Sequence, residues 1–93
     1  MIRSFQHKGL ELFYRTGKRS GINSHHGDKL RIQLTALEAA ESVEDLRAPL
    51  SWRLHALTGK LEGFYSLTVN ANWRIIFRFN GVDVELVDYL DYH

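Results

Sequence analysis

The residues of this 93-residue chain best suited to proton transfer are His55 and His93. His55 lies in a run of alternating apolar and polar residues, and Asp91 and His93 are two positions apart. In an extended chain Asp91 and His93 would project the same way. A carboxylate beside an imidazole holds one tautomer and stabilises the charged form. Arg74 and Arg78 flank Ile76 on one side of the clearest alternation in the sequence. A guanidinium stays charged and grips phosphate with a bidentate fork. These types match the needs of RNA cleavage. A base removes the 2′-hydroxyl proton, an acid protonates the leaving 5′-oxygen, and a cation offsets charge growing on the phosphate. The substrate brings its own nucleophile, so the reaction requires no cofactor and no metal. An aromatic residue such as Tyr92 suits an unstacked base. The same inventory occurs in many basic domains, so spacing alone does not separate a nuclease from a binding protein.

The other histidines are His7, His25 and His26. Adjacent His25 and His26 point apart in most backbones, and no Asp or Glu spacing completes a metal site. All three read as solvated surface residues.

The elements that must position these groups follow from periodicity. Residues 2–6 alternate and read as a short strand. Leu10, Phe13 and Tyr14 form a helical stripe from Lys8 to Thr16, with Gly17 as its stop. Residues 17–27 hold three glycines and form a loop that exposes Lys18 and Arg19. A second helix is expected from about Asp28 to Glu41, burying Leu30, Leu34, Leu37 and Ala40. Ser42 and Asp45 have the spacing to cap one further turn. After Pro49 strand character takes over. One strand is expected through Trp52, Leu54, Ala56 and Leu57, turning at Thr58-Gly59-Lys60. A second covers residues 64–70, and a third carries Trp73, Ile75, Phe77 and Phe79 on one face. Asn80-Gly81 marks a hairpin into a last strand from Val82 to about Leu90. Its alternation slips at Leu86-Val87, the mark of a bulge or of burial on both faces. The order predicts an α+β fold: a small antiparallel sheet with N-terminal helices packed on one face.

Composition agrees with one domain. The chain is 44% apolar and 12% aromatic, enough for a core without staples, and it has no cysteine. No secretory leader or apolar run of membrane-spanning length is visible, so a cytoplasmic location is expected. The net charge of +1 conceals blocks. Residues 1–31 carry seven bases against two acids, and residues 46–81 carry five against one. Residues 38–45 hold four acids and the last twelve residues another four, neither block with a base. Such blocks either present a basic face to a polyanion or pair across the fold.

A resemblance narrows the choice. Leu54-His55-Ala56-Leu57-Thr58-Gly59, Glu62-Gly63-Phe64-Tyr65-Ser66-Leu67-Thr68-Val69 and Asn70-Ala71-Asn72-Trp73-Arg74-Ile75-Ile76-Phe77 resemble the HigB family of toxins. So do Val87-Asp88-Tyr89, Asp91-Tyr92-His93 and the opening Met1-Ile2-Arg3-Ser4-Phe5 with Lys8-Gly9-Leu10. The resemblance spans the chain and is most specific over residues 54–93. It implies the RelE/ParE fold and a ribosome-dependent messenger-RNA endonuclease. It also implies a helix-turn-helix antitoxin of the HigA type, through which alone the toxin would meet operator DNA. It places the active site at His55, Arg74, Asp91, Tyr92 and His93. Arg74 would hold the scissile phosphate, and His55 and His93 would divide acid and base duties. Asp91 would orient His93 or contact the 2′-hydroxyl, and Tyr92 would contact the displaced nucleotide. In a regular strand Tyr92 faces away from Asp91 and His93, so its role requires the tail to leave regular geometry. On charge, Arg53, Lys60 and Arg78 are expected to bind RNA.

The sequence departs from the family where Thr58 and Asn70 stand in place of common basic residues, which lowers the positive charge near the site. Three alternatives stay open: a ParE-like gyrase poison, a weakly active member that binds antitoxin and tunes its own operon, and a nuclease that cuts RNA without the ribosome.

Overall fold

The computed structural model describes residues 1–92. Two helices, α1 (Lys8–Thr16) and α2 (Gly27–Ala39), precede four strands. These are β1 (His55–Ala56), β2 (Tyr65–Asn70), β3 (Trp73–Asn80) and β4 (Asp83–Asp91), antiparallel in the order β1-β2-β3-β4.

The helix stripes behave as their spacing predicts. Leu10 and Phe13 of α1 and Leu30, Leu34 and Leu37 of α2 are buried against Leu67, Val69, Ile75 and Phe77 of the sheet. Gly17 ends α1 at φ 81, its amide returning to the Phe13 carbonyl. Ser42 and Asp45 form a reciprocal capping box on a short 3-10 turn, Val43–Leu46. Gln33, wholly buried on α2, donates from Nε2 to the Thr68 carbonyl at 2.8 Å. That carbonyl lies where the β2–β3 register shifts, between Thr68 and Asn70. Tyr14 donates to Glu38 at 2.6 Å, joining the two helices. Burial and this bond push the Tyr14 hydroxyl up to about 12, and the bond holds the Glu38 carboxyl below its ordinary range.

Three expectations change. Residues 2–6 do not form a strand of their own. Ile2 and Phe5 make two isolated parallel bridges to Val84 and Val87. The interruption has a cause on β4, where Leu86 takes φ 55 and the β3–β4 register shifts between Ile76 and Arg78. The bulge amide of Leu86 is satisfied by the Ser4 hydroxyl at 2.9 Å. The strand expected from Trp52 to Leu57 shrinks to His55–Ala56. Leu50–Trp52 turns as a 3-10 helix and Arg53 adopts a left-handed φ of 49, which breaks extension on the near side. The β3–β4 hairpin closes at the pair Asn80–Asp83, so Gly81 and Val82 form its loop. Gly81 takes φ 64, a conformation an L side chain resists.

The slip at Leu86-Val87 is therefore a bulge. Val84 and Val87, three apart, both face the core. An extra residue in one strand resets its alternation, and every later side chain changes face.

Candidate active site

The sheet face away from the helices carries the predicted chemistry. His55 pairs with Ser66, and Ser66 pairs in turn with Ile76. The neighbouring row is Thr68, Arg74 and Leu90. His55 and Arg74 thus project from one face, two strands and two residues apart. Strand spacing of about 4.8 Å and a rise of about 3.4 Å put their Cα atoms about 12 Å apart. The gap between them is a cleft of about 420 Å³. Arg53, His55, Arg74 and Tyr92 line it above a floor that includes Ser66, Thr68 and Ile76, with Leu54 and Leu57 at the side.

Each lining group is set by its backbone. The left-handed turn at Arg53 feeds directly into His55. Arg74 is half-buried and folds over its own hairpin, donating from Nη1 to the Ala71 carbonyl at 2.6 Å and the Trp73 carbonyl at 3.1 Å. Ala71 occupies the first loop position at φ 50. Tyr92 lies beyond the end of β4, its amide bonded to the Asn72 carbonyl at 2.8 Å. One hairpin loop, residues 71–72, therefore anchors both the guanidinium and the tail. No Asp or Glu lines the cleft among the described residues, and two guanidinium groups do. The cleft is a basic, partly apolar slot that fits a phosphodiester with an unstacked base.

The predicted site residues are distributed unevenly. His55, Arg74, Tyr92 and Arg53 meet at the cleft. Asp91 pairs with Trp73, on the opposite side of the sheet from Arg74. Tyr92 does face away from Asp91, as a regular strand requires, but it is Tyr92 that reaches the cleft, with no departure from regular geometry needed. Leu90 faces Arg74, so Tyr92, two residues on, keeps to the Arg74 face and Asp91 does not. His93 lies outside the described residues. Arg78 makes a 2.6 Å ion pair with Glu85 and covers the Phe64 ring, so its charge is engaged away from the cleft. The Arg78 bond, helped by the Asn80 amide, holds the Glu85 carboxyl below its usual range against the opposing effect of burial. Lys60, in the 3-10 turn Gly59–Leu61, is exposed and does not line the cleft. Arg3 likewise pairs with Asp83 at 2.9 Å. Two acids of the terminal block, Asp83 and Glu85, thus pair with Arg3 and Arg78, and no Asp or Glu lines the cleft among the described residues.

Two histidines read as surface groups are structural. His26 is only 4% exposed, and its Nδ1 shares a 2.7 Å hydrogen bond with the Tyr89 hydroxyl. Burial lowers its pKa below 6.5. Tyr89 stacks on Trp73 at 4.6 Å and 26°. His7 caps α1 by accepting the Leu10 amide at Nδ1, 2.9 Å, with its ring against Tyr89. This cluster fastens the loop before α2 behind the residues that precede Arg74 and Tyr92. Sequence reasoning also missed Ser66, Thr68 and Ile76 as cleft residues. Their alternation was visible, but the strand register that sets them between His55 and Arg74 was not. No trio of His, Asp or Glu among the described residues is arranged to hold a metal ion. No helix among them is long and apolar enough to cross a membrane.

Comparisons with known proteins bear on the family and the fold. "Endoribonuclease HigB" of Proteus vulgaris is 41% identical over 93 residues, covering the whole of both chains. "Toxin HigB-1" of Vibrio cholerae is 41% identical over 95 residues, covering all of this chain and 98% of that one. Among solved structures, a YafQ mutant from E. coli superposes with a TM-score of 0.64 at 19% identity, over 96% of this chain and 89% of that chain. A YoeB/ParE toxin from Agrobacterium tumefaciens gives 0.54 at 16% identity, over 100% of this chain and 99% of that chain. The two structures share the fold. The family model of the HigB-like toxins, RelE-like toxins of type II toxin–antitoxin systems, matches residues 3–93, and the chain belongs to that family.

Proposed function

We propose that this toxin is a messenger-RNA endoribonuclease that acts on translated message at the ribosome. The observation that carries the reading is the meeting of His55 and Arg74 in one basic cleft bordered by Tyr92 and Arg53. The printed name of the Proteus vulgaris relative supports it. Arg74 holds the scissile phosphate. In the resting structure one of its nitrogens already rests on two carbonyls, which fixes the guanidinium at the cleft wall. The substrate 2′-oxygen attacks phosphorus as its proton passes to a base. The phosphorus–O5′ bond breaks as an acid protonates O5′, leaving a 2′,3′-cyclic phosphate and a 5′-hydroxyl. His55 performs one of these transfers. The family resemblance supplies His93 for the other, with Asp91 acting on His93 from the far side of β4. Tyr92 stacks on or contacts the nucleotide turned out of line. Preorganised charge at the phosphate is the largest expected contribution. The modest net charge of +1 favours capture of message already held on a ribosome over capture of free RNA. The same reading assigns the chain a cytoplasmic site of action and a HigA-type antitoxin that carries the operator contacts.

Expression without antitoxin, followed by mapping of message ends in translating and stalled extracts, tests this. New ends that depend on translation, carry cyclic phosphate and vanish with a folded Arg74→Ala protein are expected. Gyrase-linked DNA breaks, or unchanged cutting by Arg74→Ala, overturn it.

A further inference from the structure

Ser66 stands between the two groups that the proposed reaction uses. Its strand, β2, separates the His55 strand from the Arg74 strand. It pairs directly with His55 on one side and Ile76 on the other, and Thr68 two residues along pairs with Arg74. The point midway between imidazole and guanidinium therefore lies above Ser66 and Thr68.

Ser66 is 6% exposed and yet lines the cleft. Its hydroxyl makes no hydrogen bond among the described residues. The adjoining floor residue Ile76, 3% exposed, has no polar side-chain atom to offer. The hydroxyl, with no hydrogen bond of its own, is not sealed off from solvent, so it opens to the cleft where a ligand can reach it. A serine hydroxyl both donates and accepts. The non-bridging oxygens of a phosphodiester only accept. A neutral donor at the floor of the cleft strengthens its bond as negative charge accumulates on those oxygens.

We infer that the Ser66 hydroxyl is a substrate contact, donating a hydrogen bond from the cleft floor to a non-bridging oxygen of the scissile phosphate. The inference rests on the nuclease reading above. It adds a neutral donor beneath the phosphate to the cation beside it.

The test uses the full chain on ribosome-bound message whose cleaved linkage, mapped with the wild type, carries a single phosphorothioate of either configuration. Ser66→Ala is expected to slow single-turnover cleavage of the oxygen substrate about tenfold, as loss of one hydrogen bond to a charged group would. Its melting temperature should stay near that of the wild type, since the hydroxyl bonds no described residue of the fold. The penalty that one phosphorothioate configuration imposes on the wild type should disappear in Ser66→Ala, because the donor that sensed the replaced oxygen is gone. Wild-type cleavage by a folded Ser66→Ala protein overturns the inference. So does slow cleavage with both sulfur penalties unchanged, which would make Ser66 a support for His55. A lowered melting temperature with normal cleavage per folded molecule assigns Ser66 a packing role and also overturns it. A wild-type protein that cuts no RNA in any translating extract fails the nuclease reading itself, a result distinct from these three.

Discussion

Replacing Tyr89 with Phe removes one oxygen atom and leaves the stack on Trp73 in place. That oxygen serves two partners, the His26 imidazole at 2.7 Å and the Asn23 amide at 3.3 Å. His26 and Tyr89 are both buried, so water cannot take over the lost bond without opening the cluster. The Asn23 bond is long and its residue exposed, so it contributes little. The cost is then mainly that of one buried polar atom left bare, about 1–3 kcal/mol. In a domain of this size each kcal/mol shifts the melting temperature by about 4–8 °C, so Tyr89→Phe should melt about 4–24 °C lower. Calorimetry of Tyr89→Phe, His26→Phe and the double variant measures the coupling. If the hydroxyl acts through His26, the second substitution adds much less than it costs alone. A Tyr89→Phe protein melting within about 1 °C of the wild type, or strict additivity in the cycle, would refute the assignment of His26 and Tyr89 as one buried unit.

The same pair gives the stability a pH dependence. Burial lowers the pKa of His26 in the folded state while the unfolded chain titrates near 6.5. The unfolded state therefore binds more protons below 6.5, and stability is complete above that pH and falls as pH drops through the lowered folded value. Melting temperatures recorded across this window should decline in the wild type and stay flatter in His26→Gln; equal slopes would count against it. Gly9 and Gly21 approach backbone to backbone, so a Cβ on Gly9 would meet the Gly21 carbonyl, which has no flexible end to move aside. Gly9→Ala should cost about 1–3 kcal/mol or more, read as a lowered denaturation midpoint, and an unchanged midpoint would contradict the close approach. Arg53 lines the cleft whereas Arg78 is held by Glu85. Arg53→Ala should slow message cleavage about tenfold. Arg78→Ala should lose no more than about 1 kcal/mol of stability and cut at nearly the wild-type rate; the reverse ranking would show that the basic surface extends past the cleft.

Local pattern fixed a good deal of this protein. The stripes Leu10–Phe13 and Leu30–Leu34–Leu37, the stop at Gly17 and the Ser42–Asp45 cap all arise within a few residues, where spacing and capping chemistry act directly. The alternation of Trp73 to Phe79 identified both faces of β3, and so which side Arg74 would take. His26 escaped the sequence because nothing beside it announces burial. Its partner Tyr89 is 63 residues away, and only packing of the loop before α2 against β4 unites them. The short reach of β1 was equally hidden, since the left-handed Arg53 that ends its extension carries no glycine to mark it.

The site itself needed three dimensions. Pairing of β1 with β2 and of β2 with β3 is what brings His55, Ser66 and Arg74 together, and hydrogen-bond register between strands is not encoded in any one of them. The face taken by the tail was decided further off. The bulge at Leu86, held by Ser4 from the opposite end of the chain, resets the phase of β4. That single inserted residue puts Tyr92 above the cleft with Arg74 and sends Asp91 to the Trp73 side. Residue types therefore specified the available chemistry, and a two-residue periodicity specified its possible faces. Which of those faces the last residues occupy depended on a long-range contact that absorbs one residue of strand, because a shift of one reverses every side chain beyond it.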